Sequence, residues 1–254
     1  MRILTYSDLH LEFGAPWTPP AEDAGDVLVL AGDVVAGSIA PLIDVFNAWN
    51  KPIIYVAGNH EYYSRRMNEM NADIYDLIEN NYDQVRFLRD KSCAIDGVNF
   101  FGGTMWTDFN GGSSRSMQYA KEGMSDYRLI VNPDGTSFRP KDSVVLHEEF
   151  VGKLREWFDT PLQGPRVVVT HHAPCLNPNT QYRNSPLQAA FNSLDMVSIM
   201  EECCPDLWVY GHTHECDVRR FVHTQIVSNQ RGYPRPDGSN ECRDFREDGV
   251  PTEV

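Results

Sequence analysis

Seven side chains of metal-binding types stand at the ends of five short apolar runs in the chain. They are two aspartates, one asparagine and four histidines: Asp8, His10, Asp33, Asn59, His171, His212 and His214. Carboxylate together with imidazole is the ligand set of manganese, iron or zinc, whereas oxygen-only sets suit magnesium and calcium. A single catalytic ion that keeps an open position needs only about three protein ligands. The set therefore indicates two ions, about 3.5–4 Å apart, that share a carboxylate.

Each of these residues has an ordinary structural explanation when it is considered alone. Asp33 follows a glycine, as turn residues often do, and Asn59 suits a left-handed turn position. The histidines could be buried side chains that hydrogen-bond to the backbone. The metal site is favoured because five separate coincidences would otherwise be required.

The apolar runs that precede these residues predict buried strands over 2–6, 26–30, 52–56, 166–169 and 207–210. Apolar residues at helical spacing predict helices over 41–49, 61–82, 142–158 and 194–203. Residues 84–109 and 218–229 alternate in the manner of antiparallel strands. Strands alternating with helices indicate a layered α/β fold. The Gly- and Ser-rich residues 111–125 are predicted to form a loop over the site.

Local geometry is expected to help gather the side chains. Asp8 and His10 lie two residues apart, so an extended chain would direct both to the same side, and His212 and His214 repeat this spacing. Three glycines that precede predicted ligands are expected to supply unusual backbone dihedral angles. These glycines are Gly32, Gly58 and Gly211.

Composition limits the classes of function. The 254 residues are 41% hydrophobic and 23% charged, which is typical of a globular protein, and we expect one domain over 1–254 with 231–254 as an irregular, exposed extension. The net charge of −14 disfavours long nucleic acids and membrane surfaces as partners. No signal-peptide or membrane-spanning pattern is visible, and the six cysteines have no CxxC spacing, so reduced thiols and a cytoplasmic location are expected. The oligomeric state stays open.

Five sequence blocks, taken in order, resemble the calcineurin-like metallophosphoesterase superfamily, and in particular its small bacterial members. The blocks are Asp8-Leu9-His10, Gly32-Asp33, Gly58-Asn59-His60-Glu61, His171-His172-Ala173-Pro174 and Gly211-His212-Thr213-His214. The resemblance implies a four-layer α-β-β-α sandwich in which helices flank two mixed sheets. Residues 227–234 also look like a closing segment of the small bacterial members.

The resemblance also implies a role for each block. One ion would be bound by Asp8, His10, Asp33 and His214. The second would be bound by Asn59, His171, His212 and the bridging Asp33. His60 would be the catalytic residue that assists the leaving group or stabilises the transition state. His172 is either a substrate contact or a residue that hydrogen-bonds to the ligand shell.

The function so indicated is hydrolysis of a phosphate ester by a hydroxide that bridges two divalent transition ions, with manganese or iron favoured over zinc. Members that act on phosphoproteins continue the Gly-Asp block with a further Asp and an Arg-Gly, which this chain lacks after Asp33. Small phosphodiesters are therefore the expected substrates. A phosphomonoesterase, a nuclease and a non-catalytic scaffold are the alternatives. The missing Asp also leaves the partner of His60 open, with Glu61 as one candidate.

Other chemically capable residues are expected to be structural. Among the histidines these are His147 and His223. The thiols of Cys175 and Cys216 flank the blocks but are not expected to bind metal. The arginines are expected on the solvated surface: Arg115, Arg128 and Arg231.

Overall fold

The strands predicted from the apolar runs are present in the computed structural model, which describes residues 1–254. The strands are β1 (Arg2–Tyr6), β2 (Val27–Ala31), β3 (Ile53–Val56), β4 (Val85–Phe87), β5 (Lys91–Ile95), β6 (Val98–Gly103), β7 (Arg166–Thr170), β8 (Leu207–Val209), β9 (Asp217–Phe221), β10 (Thr224–Ser228) and β11 (Val250–Glu253). They form one sheet in the order β11-β1-β2-β3-β4 and another in the order β5-β6-β7-β8-β10-β9. Both sheets are mixed, because antiparallel pairs flank the parallel strands in the second sheet and β11 is antiparallel to β1 in the first.

Helices cover the outer faces of the two sheets. The helices are α1 (Ala40–Asn47), α2 (Met67–Asn81), α3 (Phe109–Gly112), α4 (Ser114–Gly123), α5 (Asp126–Leu129), α6 (Pro140–Asp159), α7 (Gln188–Phe191) and α8 (Met196–Cys203). Apolar residues of α1 and α2 pack on the first sheet, and those of α6 and α8 pack on the second. None of the helices is long and apolar enough to span a bilayer.

A third apolar cluster lies between the two sheets. It is built from alternate residues of both, including Ile3, Val29 and Ile54 of the first sheet and Val167 and Val209 of the second. Strands buried on both faces are read as continuous apolar runs, which is why these runs were recognisable in the sequence. The order helix, sheet, sheet, helix confirms the four-layer α-β-β-α sandwich.

The register of the parallel strands aligns the ends of the strands that precede the predicted metal ligands. Tyr6 is paired with Leu30, and Leu30 with Tyr55, at the ends of β1, β2 and β3. In the second sheet Val169 of β7 is paired with Val209 of β8. The loops that follow these five strands therefore start at one edge of the sandwich.

The structure corrects three predicted elements. Residues 111–125 are not a loop but contain the end of α3 and the whole of α4. The Ser113 side chain accepts a hydrogen bond from the Ser116 N–H and caps α4. This short surface helix was predicted as a loop because its residues are mostly polar. The helix predicted over 61–82 begins only at Met67, after a 3-10 turn over His60–Tyr62. Residues 84–109 were predicted to form antiparallel strands, but β4 is parallel to β3. Helix α2 provides the crossover connection that a parallel pair needs.

The C-terminal residues also differ from the prediction. Residues 231–249 contain no helix or strand, but β11 (Val250–Glu253) pairs with β1 and completes the first sheet. Pro251 is compatible with this position because an edge strand does not use every N–H. Arg231 is buried rather than solvated, with its guanidinium donating to the carbonyls of Ala15 and Pro16. Most of residues 233–248 are irregular and exposed, whereas both ends of the segment pack against the domain.

Candidate active site

The structure brings all seven predicted metal ligands together at the edge where the five strands end. Ligand atoms within 4.8 Å of one another form one group of Asp8, His10 and His214 and a second group of Asp33, His171 and His212. Asp33 also forms a group with His10 and His60, so its carboxylate lies between the two halves. The Asn59 Oδ1 atom lies 2.9 Å from His171 Nε2 and joins the second group.

The donor set fits two bound cations. His10 Nε2 and His214 Nε2 lie 3.1 Å apart and face each other. His212 Nε2 is buried without a hydrogen-bond partner, which is costly for a polar atom unless something binds it. The Asp8 and Asp33 carboxylates are buried with these rings, and buried charges require a compensating charge. Carboxylate and imidazole together suit manganese, iron or zinc.

Left-handed backbone conformations aim five of the seven side chains. Their φ angles are 53° at Asp8, 48° at His10, 53° at Asp33, 71° at His212 and 51° at His214. Such conformations are uncommon for residues other than glycine, cost about 1 kcal/mol or more each and cluster at functional sites. Asp8 and His10 do converge in one group as predicted, but through left-handed rather than extended backbone. His212 and His214 likewise have left-handed rather than extended backbone, and their ring nitrogens belong to different groups although both residues line one cavity.

The glycines before the ligands act in two ways. Gly32 has a φ of 86°, as expected for a residue that turns the chain out of a strand. Gly58 and Gly211 have no such angle and instead provide space. A Cβ on Gly211 would lie 2.6 Å from Asp8 Oδ2, and one on Gly58 would collide with Asp33 Oδ1. These two positions bring backbone against ligand carboxylates.

Glu61 connects the loops after β2 and β3. Its carboxylate accepts hydrogen bonds from the N–H groups of Asp33 (3.0 Å), Val34 (2.9 Å) and Gly58 (2.7 Å), and from the Tyr55 hydroxyl (3.0 Å). Burial and the charge of Asp33 raise the pKa of Glu61 to about 7, although the backbone donors favour the ionised form. Because its oxygens are occupied in this way, Glu61 is not the partner of His60, and that suggestion from the sequence is wrong.

The partner of His60 is Glu12, which none of the five sequence blocks contains. Glu12 Oε1 lies 3.2 Å from His60 Nδ1 and 3.0 Å from His10 Nδ1. Burial opposes ionisation of Glu12, but the hydrogen bonds from His10 and His60 outweigh it and lower the pKa of the carboxyl. Burial likewise lowers the pKa of His60, but Asp33 and Glu12 outweigh it and raise that pKa to about 9. The available signal was an acidic residue two positions after His10.

The segment after β10 contributes residues that were also missed. The Tyr233 hydroxyl lies 3.1 Å from His60 Nε2, and the Tyr233 ring lies 4.5 Å from the His10 ring between centroids. Glu241 Oε2 lies 2.5 Å from His214 Nδ1 and accepts a hydrogen bond from the Tyr233 N–H. Tyr233 and Glu241 of the predicted extension therefore form part of the wall of the site. The resemblance of 227–234 to a closing segment was the signal for it.

His172 lies behind the site rather than in its open part. Its side chain is buried, its Nδ1 lies 3.1 Å from the Thr104 carbonyl oxygen, and its ring is 4.1 Å from the His212 ring. Burial holds the pKa of His172 well below its usual range. These contacts favour support of His212 over contact with substrate. His147 is structural as predicted, because its ring nitrogens lie 3.2 Å from Met105 O and 2.9 Å from Asp195 Oδ2.

An open cavity of about 240 Å³ leads to the two ligand groups, and we call it the catalytic cavity. Asp33, His60 and His212 are among the residues that line it. Its lining also includes the aromatic residues Tyr63, Tyr182, Phe191 and Tyr233, and no lysine or arginine lines it. Any positive charge that meets a substrate there must come from bound ions or protonated histidine.

The sandwich and the paired ligand groups define a metal-dependent phosphoesterase site. The calcineurin-like phosphoesterase family model matches residues 1–216, so the chain belongs to that family. The chain is 28% identical to an uncharacterized protein of Acanthamoeba polyphaga mimivirus over 92% of both chains. It is 22% identical to a UPF0046 protein of Caenorhabditis elegans over 85% of this chain and 64% of the relative. In fold it is similar to the phosphopantetheinyl hydrolase of Mycobacterium tuberculosis, with a TM-score of 0.71, 17% identity and coverage of 95% and 96% of the two chains.

Proposed function

We propose that the protein is a dinuclear phosphoesterase that hydrolyses small phosphodiesters. The observation that carries the proposal is the position of Asp33, whose carboxylate lies between a group containing His10 and a group containing His171 and His212. The residues that would hold the first ion are Asp8, His10, Asp33 and His214, and those for the second are Asp33, Asn59, His171 and His212. When bound, divalent ions would supply an ionised water as nucleophile and stabilise charge on the phosphoryl oxygens.

The chain's own residues would orient the ester and protonate its leaving group. His60 is held at Nδ1 by Glu12, which leaves Nε2 directed to the cavity, 3.9 Å from Asp33 Oδ2. A protonated His60 can donate from Nε2 to the departing oxygen or to a phosphoryl oxygen. The Tyr233 hydroxyl lies beside His60 Nε2, where the leaving group would be bound. It would be a second hydrogen-bonding group for the substrate.

The absence of cationic side chains from the catalytic cavity supports diesters over monoesters. A phosphomonoester carries up to two negative charges and a diester carries one, so the diester needs less compensation from the protein. The cavity volume of about 240 Å³ favours compact esters over polymers. The chain's net charge of −14 further disfavours long nucleic acids.

Metal content tests the dinuclear site separately from activity. Protein purified with manganese or iron should contain two ions per chain, and Asp33→Ala should lose at least one of them. His60→Ala should keep both ions and lose about 10²–10⁴ in turnover. A wild-type content below one ion per chain would contradict the dinuclear proposal.

Substrate preference is tested by kcat/KM on metal-loaded protein with bis-p-nitrophenyl phosphate, p-nitrophenyl phosphate and a phosphopeptide. The diester should be the best of the three. If the phosphopeptide is best, the diester assignment fails while the metal proposal stands. If none is hydrolysed by protein that holds two ions, the proposal fails for these ester classes and the scaffold alternative is favoured.

A further inference from the structure

A second cavity, of about 480 Å³, lies between α4 and residues 183–189, and we call it the arginine cavity. Its walls include Arg115 and Arg183 together with polar groups such as Ser116 and Ser185. No aspartate or glutamate lines it, although the chain has 36 acidic residues against 22 basic ones. In a protein of this charge, a concave surface with two arginines and no acid is suited to an anion.

Both arginines have donors available for a ligand. The Arg115 guanidinium lies 3.4 Å from the Tyr119 hydroxyl and stacks over that ring at 5.6 Å. Arg183 donates to the Pro178 carbonyl oxygen at 2.6 Å. Because these partners are neutral, neither positive charge is compensated by them. A guanidinium group matches the paired oxygens of phosphate or carboxylate in a bidentate arrangement.

The arginine cavity is adjacent to the catalytic cavity. Consecutive residues of one segment line different cavities. Tyr182 lines the catalytic cavity and the next residue, Arg183, lines the arginine cavity. Leu187 and Gln188 are divided between the two cavities in the same way. Consecutive Cα atoms are about 3.8 Å apart, so the cavities are separated by the thickness of one chain segment.

Two contacts form the boundary between the cavities. A Cβ built on Gly123 of α4 would lie 3.2 Å from Leu187 Cδ2, so the leucine packs directly on the helix. The Tyr182 ring stacks on Phe191 with 4.2 Å between centroids and 16° between planes. The boundary is therefore apolar. The catalytic cavity on one side is lined by the candidate metal ligands, and the arginine cavity on the other side is lined by the two guanidinium groups.

We propose that the arginine cavity is a subsite for a second anionic group at the far end of the substrate. This inference rests on the proposed phosphoesterase function and narrows its substrate class. The ester would have one arm that crosses the apolar boundary formed by Leu187 and Tyr182 and ends in a phosphate or carboxylate near Arg115 and Arg183. The catalytic cavity itself has no lysine or arginine that could bind that terminal anion.

A matched series of p-nitrophenyl alkyl phosphodiesters tests the subsite. The alkyl arm would have four to eight carbons and end in either phosphate or hydroxyl. For at least one arm length, kcat/KM should be about tenfold or more higher with the phosphate, as expected of a charge-assisted contact. The double variant Arg115→Gln/Arg183→Gln should lose this preference and hydrolyse the hydroxyl-ended esters as the wild type does. Arg220→Gln, an exposed arginine of β9, is the control and should keep the preference.

The outcomes separate the subsite from its alternatives. A wild type with no preference at any arm length, or a double variant that keeps the preference, overturns the subsite. If methyl phosphate stimulates hydrolysis of the hydroxyl-ended esters in the wild type but not in the double variant, the cavity binds a free anion instead of the substrate arm. If the wild type hydrolyses neither series while it holds two ions, the phosphoesterase proposal itself has failed. The two single variants provide the same comparison if the double variant does not fold.

Discussion

Replacement of Glu12 tests whether this residue supports catalysis through His60. Glu12 Oε1 contacts two rings, at 3.2 Å from His60 Nδ1 and 3.0 Å from His10 Nδ1. A hydrogen bond to a charged group contributes about 1.5–3 kcal/mol, against about 0.5–1.5 kcal/mol between neutral groups. Glu12→Gln keeps an oxygen in place but removes the charge, a loss of about 1–1.5 kcal/mol at His60. Since about 1.4 kcal/mol corresponds to a factor of ten, kcat should fall about five- to tenfold.

Glu12→Ala removes the whole contact and should lower kcat by about 10- to 150-fold. The assay is hydrolysis of bis-p-nitrophenyl phosphate at saturating metal, with metal content measured on the same samples. Saturating metal is needed because loss of a hydrogen bond to a metal ligand, the role proposed for His10, typically weakens metal affinity by about 10- to 100-fold. Glu79→Gln, an exposed glutamate on α2, is the matched control and should leave both readings unchanged.

A double-mutant comparison distinguishes action through His60 from a general loss of structure. In the His60→Ala background, Glu12→Ala should reduce the remaining activity by less than about twofold, because the residue it orients is gone. If Glu12→Ala lowers activity by the same factor with and without His60, the two residues act independently and the reasoning is refuted.

Three further substitutions test how the site is stabilised. Glu61→Gln at pH 8.5 should destabilise the fold by about 3 kcal/mol, because the amide group would face backbone N–H donors. Calorimetry should then show a Tm lower by about 6–12 °C, and a decrease below 2 °C would exclude this role for Glu61. Gly211→Ala should lower metal content without unfolding the chain, because a Cβ would press on Asp8 Oδ2 at 2.6 Å; unchanged content would show that the loop adjusts. His147 is held beside Asp195, whose hydrogen bond and charge outweigh burial and raise the pKa of His147. This stabilisation is complete below the ordinary pKa of about 6.5 and is lost as pH rises through the folded-state pKa, so Asp195→Asn should cost more stability at pH 6 than at pH 9 in urea unfolding.

Much of the fold and the convergence of the candidate ligands were predictable from the sequence. Strands buried on both faces have continuous apolar runs, and β1, β2, β3, β7 and β8 were recognised for that reason. The ligands follow these strands directly, so their order along the chain already indicated their convergence. Short polar elements were less predictable: α4 has a surface composition, and β11 is a short edge strand that contains Pro251.

The means by which the ligands meet came only from the tertiary structure. The spacing of Asp8 and His10 suggested an extended chain, whereas the observed φ angles of 53° and 48° are left-handed. Such angles are unfavourable by themselves and persist because the surrounding contacts hold them. Gly58 and Gly211 were similarly visible as glycines, but the carboxylates that require their small size lie in other loops.

The sequence by itself determined which residues can bind metal and which strands present them, because each block combines a strand with its own ligand. The surroundings of His60 were decided by the tertiary structure alone. Glu12 and Tyr233 contact opposite nitrogens of His60 from positions 48 and 173 residues away along the chain. Glu241 contacts His214, which lies 27 residues earlier in the chain, and no regular sequence spacing connects the two. Contacts of this kind depend on how separate loops pack at the edge of the sandwich, and no local pattern of residues records that packing.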